Sequence, residues 1–122
     1  LSKATAATQS PETNPEAWWA LAETHRRLAR HTPPKDQTRS RHLADGLTAA
    51  AKIFSINPNH ARGWAVRGAL ELLQAQTAEP NTTATAQAQA ARSALERAFQ
   101  KDPILPAEYA AALAQAKTLS PN

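Results

Sequence analysis

An all-α fold is predicted by three features of this 122-residue sequence. Alanine is abundant, while glycine is limited to 3 residues and aromatics to 5%. Alanine loses no side-chain entropy in a helix, and Val, Ile, Tyr and Phe are too few to furnish a sheet. Apolar residues recur at spacings of three and four through most of the chain, the period of one helix face. Finally, Asn14-Pro15, Asn57-Pro58 and Asp102-Pro103 break the chain at intervals of 43 and 45 residues. Each interval holds two helical stretches and one proline-containing loop. The length suits one small domain with a single core.

Residues 1–13 are small and polar and read as a linker or disordered end. The helical domain is expected over 14–119, with a tail at 120–122. Asn14 caps the first helix and Pro15 fits its first position, where a missing N–H has no consequence. Glu16 lies in the first turn, which favours an acid. Trp18, Leu21, Ala22, His25, Leu28 and Ala29 form one face, and Thr32-Pro33-Pro34 ends the helix. Asp36 or Ser40 caps the second helix, which runs to about Ser55. Leu43, Leu47, Ala50, Ala51 and Phe54 make one stripe, and Gly46, Ala50 and Ile53 an adjoining one. A helix apolar on two sides is packed between neighbours.

Asn57-Pro58 caps a third helix over about 59–76, with Ala61, Trp64, Ala65, Gly68, Leu72 and Ala75 as its main face. Gly68 costs about 1 kcal/mol against alanine inside a helix. One reason for it is close approach to Gly46 or the alanines of helix two; the other is simple tolerance. A loop follows at 77–83, where Asn81-Thr82-Thr83 matches a glycosylation acceptor by chance. Helix four covers 84–101, with Ala84, Ala88, Ala91, Leu95, Ala98 and Phe99 on one side. Asp102-Pro103 ends it. Helix five starts at Pro106 and runs to about Leu119, with Ile104, Leu105, Tyr109, Leu113 and Ala116 as its apolar side.

Internal periods of 20–50 residues indicate stacked repeats, because one helical hairpin cannot bury its own apolar face. Ala91, Leu95, Ala98 and Pro103 close the second unit, Trp64 and Gly68 open it after Pro58, and Trp18, Leu21 and Ala22 open the first. On these residues the chain resembles tetratricopeptide (TPR) repeats over about 15–118. Arg67 and Ile53 depart from the family pattern, and the period exceeds the family's 34 by about ten residues. The resemblance implies a right-handed alpha-alpha superhelix of two extended hairpins plus a C-terminal capping helix, with Leu47 also in the repeat core. The stretch from Asn57 to Leu73, with Asp102 to Tyr109, also looks like repeat segments that follow the catalytic domain in some bacterial serine/threonine kinases. That would make this a regulatory or docking tail without catalysis of its own.

The residues themselves point away from enzymatic chemistry. No Gly-rich phosphate loop, Gly-x-Ser-x-Gly elbow or His-Glu-x-x-His is present. His25 and His31 lie on different helix faces, so no metal site is expected; His25 reads as packed, and His31, His42 and His60 as solvated. The acids are scattered singly, and no cofactor is expected. There is no cysteine, no apolar run approaches the ~20 residues of a membrane span, and residues 1–13 lack a signal-peptide centre. A cytoplasmic protein without membrane association is the expectation. The absence of methionine, even at position 1, suggests a segment of a longer protein.

A binding surface is expected instead. First helices of successive units line the concave side of such an array. Trp19, Glu23, Arg26, Arg27 and Arg30 would there share a partner-binding groove with Arg62, Val66 and Ala69. Exposed Trp and Arg are typical hot spots. The alternative for Trp19 is packing beneath the N-terminal segment or a preceding repeat. One TPR subgroup clamps terminal carboxylates with lysines and asparagines, but Trp19, Glu23 and Val66 stand at those positions here, so that activity is not implied. The net charge of +4 is concentrated at 25–42, where Arg26, Arg27, Arg30, Lys35, Arg39 and Arg41 face Asp36 alone. This stretch is either a solvated basic helix end or an attraction for an acidic or phosphorylated protein segment. Nucleic acid is the competing partner class.

Overall fold

The computed structural model describes residues 14–77 and 82–120. The linker expected over 1–13, the centre of the expected loop with Asn81, residues 121–122 and the side chain of Ala84 lie outside the described residues. Within them the protein is all-α. Five helices follow in order: α1 (Pro15–Arg30), α2 (Gln37–Ile56), α3 (Ala61–Thr77), α4 (Thr82–Lys101) and α5 (Ala107–Leu119). No described helix is long and apolar enough to cross a membrane.

The helix starts follow local chemistry. The Asn14 side chain accepts from the Glu16 N–H at 3.1 Å, with Pro15 in the first turn. Of the two candidate caps for α2 it is Asp36 that serves, accepting from the Thr38 N–H at 2.9 Å. That hydrogen bond holds the Asp36 carboxyl below its ordinary range. His60 caps α3, its Nδ1 accepting from the Gly63 N–H at 2.9 Å. Thr77 and Thr82 both belong to helices, so the helices reach into both ends of the loop expected at 77–83.

The register of packing can be read from pairs of residues. Across α1 and α2, Arg39 reaches the Ala29 carbonyl, while His42 meets His25. Across α2 and α3, Arg39 meets Thr77, Gly46 lies under Leu70, and Gly63 lies under Ile53. Across α3 and α4, Gly68 faces Ala91 and Leu95, while Trp64 lies under Arg97. Numbers rise on one helix as they fall on the other, so each of these pairs is antiparallel. By contrast, Glu16 reaches His60 and Arg62 near the starts of α1 and α3. Arg30 and Gln76 share a cleft toward their ends, so these two helices run side by side in the same direction. Helix α3 therefore sits centrally, flanked by α1 and α5 and backed by α2 and α4.

That position explains its burial on nearly every side, from Gly63 to Ala75. One apolar cluster joins Ala65 and Leu72 of α3 to Ala91, Leu95 and Ala98 of α4 and to Leu105 and Tyr109. A second joins Val66 and Leu70 to Ala22 and Ala29 of α1 and to Leu43, Ala50 and Ile53 of α2, with Trp18, Leu21 and Leu47 packed at its margin. Pro58 and Pro103 are exposed connectors rather than core, although the Pro58 carbonyl accepts from Trp64 Nε1 at 2.9 Å. Several expected apolar positions are solvent-facing instead: Leu28 is 46% exposed and Ile104 89%. Ala51 is also exposed, because the first stripe of α2, with Leu47 and Phe54 half-buried, is only partly covered.

Gly68 marks a close helix crossing, but with α4 rather than with α2. A Cβ there would lie 2.6 Å from Leu95 Cγ and 3.0 Å from the Ala91 carbonyl oxygen. Two of its three nearest neighbours are backbone atoms, which cannot swing away. Overpacking costs about 1–3 kcal/mol, against a helix-propensity gain of about 1 kcal/mol. Gly68→Ala is expected to destabilise by up to roughly 2 kcal/mol in chemical denaturation. At Gly46 the nearest atoms are the tips of Leu70. Gly46→Ala should therefore cost less than Gly68→Ala, and equal losses would refute this account.

Candidate functional site

Long side chains from α1 and α5 meet over the central helix. Glu23 and Arg26, one turn apart on α1, pair through two hydrogen bonds of 2.9 and 2.8 Å. Arg26 Nη2 also donates to Glu108 at the start of α5. The Tyr109 hydroxyl donates to Glu23 Oε1 and accepts from Trp19 Nε1 at 3.2 Å. The Arg26 guanidinium lies 5.8 Å from the Tyr109 ring centre. Exposure is 4% for Glu23, 5% for Arg26 and 1% for Tyr109, so this is a buried polar bridge.

Its electrostatics follow from burial and charge. Desolvation works against the Arg26 cation, but the hydrogen bond and charge of Glu23, then the charge of Glu108, outweigh it and raise the pKa. Burial first, and the Glu23 carboxylate second, push the Tyr109 phenol far up, so it stays a hydroxyl donor.

The bridge changes the groove that the sequence suggests. Val66 and Ala69, expected on an open floor, are buried, Val66 in the cluster with α1 and α2, and Glu23 and Arg26 are tied into the bridge instead of standing free in a groove. Trp19 is half-buried, packed against both apolar clusters and covered by the Arg62 guanidinium at 4.8 Å. Arg62 in turn reaches Glu16, which also accepts from His60 Nε2 at 2.6 Å. Arg27 keeps 65% of its side chain exposed and lies 3.6 Å from Glu23. Arg30 is exposed and has no ion pair or hydrogen bond among the described residues.

Beyond the bridge, toward the end of α1, the space between α1, α3 and α5 stays open as a cleft of about 330 Å³. Its floor is Ala69, Leu72 and Leu73. One wall is cationic, made by Arg26, Arg30 and Arg39, with Glu108 beside it. The other wall is Ala111, Ala112 and Gln115, and Gln76 closes the far rim, bonded to Gln115 at 3.1 Å. Arg39 comes from α2 and is only 7% exposed. Its Nε donates to Thr77 Oγ1 at 2.8 Å, and its Nη1 donates to the carbonyls of Thr32 at 3.1 Å and Ala29 at 3.3 Å. All three partners are neutral, and desolvation lowers its pKa. The cleft can thus hold an anionic group near an apolar floor, where low dielectric strengthens the attraction.

The basic stretch 25–42 is not one patch. Arg26 and Arg39 are buried, leaving Arg27, Arg30, Lys35 and Arg41 exposed. His31 is exposed as expected, but His42 and His60 differ from the solvated reading. His42 is half-buried with its Nδ1 3.2 Å from that of His25, so one ring donates and the other accepts. His60 keeps only 11% of its side chain exposed. Away from the cleft, Trp64 is flanked by Arg97 at 4.3 Å and Arg67 at 5.2 Å and packs on Phe54. Beside it, Glu71 has a buried carboxylate oxygen with no hydrogen-bond partner among the described residues, and burial raises its pKa despite Arg67.

Sequence reasoning missed Glu108, Gln76 and Gln115 as cleft residues. Glu108 carried a signal as an acid in a first turn, yet that signal reads as helix capping. Arg39 was singled out only as one cation of the basic stretch 25–42, because its burial depends on α1 and α3 together. Comparison with protein-family models, curated proteins and solved structures finds no match to this chain.

Proposed function

We propose that this chain is a non-catalytic protein-interaction module, a regulatory or docking region of a larger bacterial protein, built on the stacked-hairpin plan of TPR-like repeats. The observation that carries the reading is the cleft between α1, α3 and α5. It combines an apolar floor with a cationic wall and has two amides at its rim. Amides offer both donor and acceptor to a peptide backbone, and guanidinium groups take carboxylate or phosphate in two-point contacts. The partner is a protein or peptide segment carrying acidic character. Attachment to a kinase catalytic domain is one setting for such a module.

Nucleic acid is less well served by these residues. Phosphate-backbone binding needs several exposed cations along one face, and two of the six in 25–42 are buried.

Selection of peptides from a displayed library against this chain tests the reading. Selected peptides should lose at least about tenfold in affinity on Ala111→Trp, which places an indole in the cleft mouth from an exposed helix position. Circular dichroism should remain unchanged. Failure to select any peptide, or indifference to Ala111→Trp, would remove the cleft as the binding surface. A steep salt dependence for mixed-sequence DNA would favour the competing class instead.

A further inference from the structure

Charge around the cleft does not balance. Four guanidinium groups, of Arg26, Arg27, Arg30 and Arg39, stand around two carboxylates, of Glu23 and Glu108. Glu23 is shared by Arg26 and Arg27 and also takes the Tyr109 hydroxyl. Glu108 pairs with Arg26. Arg30 and Arg39 reach no carboxylate among the described residues. Arg39 is the more telling, since it is more than nine-tenths buried and satisfied only by neutral oxygens, with its Nη2 free of any hydrogen bond to described residues. A buried cation without a counter-charge is costly unless something supplies one.

We infer that the cleft receives a phosphorylated side chain of a partner protein, its phosphate held by Arg30 and Arg39 and its stem lying on Leu72 and Leu73. The inference rests on the interaction-module reading above and names its ligand. Two unmatched cations fit a phosphomonoester, which carries about −1.5 to −2 charges and three acceptor oxygens near neutral pH. A carboxylate would leave one guanidinium uncompensated. The apolar floor and the Gln76–Gln115 rim fit a side-chain stem and its flanking peptide group better than a free ion.

The test uses three degenerate peptide pools with a fixed centre: phosphoserine, serine or glutamate. Affinities are read by fluorescence anisotropy, with inorganic phosphate as a fourth probe. The phosphoserine pool should bind at least about tenfold more tightly than the glutamate pool, and Arg30→Gln should remove at least about tenfold. Arg30 is exposed, so this variant folds without difficulty. Arg41→Gln, an exposed cation of α2 outside the cleft lining, should leave binding unchanged. Equal binding of the glutamate pool, or indifference to Arg30→Gln, overturns the phosphate assignment while the interaction module stands. Inorganic phosphate binding as tightly as the peptide overturns the partner named here. Failure of every pool, together with failure of the library selection, removes both readings.

Discussion

Arg26→Met is expected to remove roughly 3 kcal/mol of stability, the low end of the 3–5 kcal/mol seen when one partner of a buried ion pair is deleted. Methionine fills much of the space, so the loss is electrostatic rather than a cavity. Glu23, 4% exposed in the intact protein, would have only the Tyr109 hydroxyl and the mostly exposed Arg27 to answer its charge. Glu108 suffers less, because 38% of its side chain is already in solvent. In urea, with a slope of about 1.5 kcal/mol/M, the midpoint should fall by roughly 2 M. The double variant Arg26→Met with Glu23→Gln should recover part of that loss, since the stranded charge is gone. Arg27→Met is the control, since this arginine is 65% exposed and its contact with Glu23 is worth about 0–1 kcal/mol. Comparable losses for the two arginines would show that the bridge is not the seat of the effect.

Tyr109→Ala is the other large case. The ring is 1% exposed and lies in the cluster with Leu72, Leu95 and Leu105. Aromatic-to-alanine truncations in cores cost about 3–5 kcal/mol through lost transfer energy and the cavity left behind. Here the Trp19 indole N–H also loses its partner, and Glu23 Oε1 keeps only Arg26. The expected readout is a large drop in the denaturation midpoint, with loss of hydrogen-exchange protection concentrated in α5. Tyr109→Phe keeps the ring and should cost about 1–3 kcal/mol, the penalty for unsatisfied buried groups. Because Arg26 and Tyr109 share Glu23, the two effects will not add. An Ala variant no worse than the Phe variant would mean that packing contributes nothing at this position.

The sequence made the local parts of the fold legible. Asn14 and Asp36 cap helices because a short polar side chain before an apolar-periodic run satisfies free N–H groups. The breaks at Pro58 and Pro103 stand where proline must disrupt a helix. Residues such as Ala22, Leu43, Ala65 and Leu95 are buried where helical spacing puts them. What stayed hidden depends on partners distant in sequence. Glu23 and Arg26 have the spacing of an ordinary surface ion pair, and only the arrival of Glu108 and Tyr109, more than 80 residues later, buries them. Val66 and Ala69, expected to line a groove, are both buried, Val66 among residues of α1 and α2 and Ala69 in the cluster that includes Tyr109 and Ala112 of α5, and nothing local in the sequence told of either burial. Gly68 announced a close crossing without naming α4 as its partner. His25 and His42 lie 17 residues apart across the α1–α2 hairpin, so antiparallel register rather than helix spacing brings them together.

The α1–α5 bridge has a consequence for how this molecule comes apart. In a row of hairpins that touch only their nearest neighbours, unravelling starts at a free end and spreads inward step by step. Here the fifth helix is clasped by side chains to the first, so the two outermost described helices of the row are tied to each other. Peeling α5 away strips Glu23 and Arg26 bare on the first helix in the same event. Loss of the last segment is thereby felt at once by the first, and the chain should melt as one unit rather than by gradual fraying.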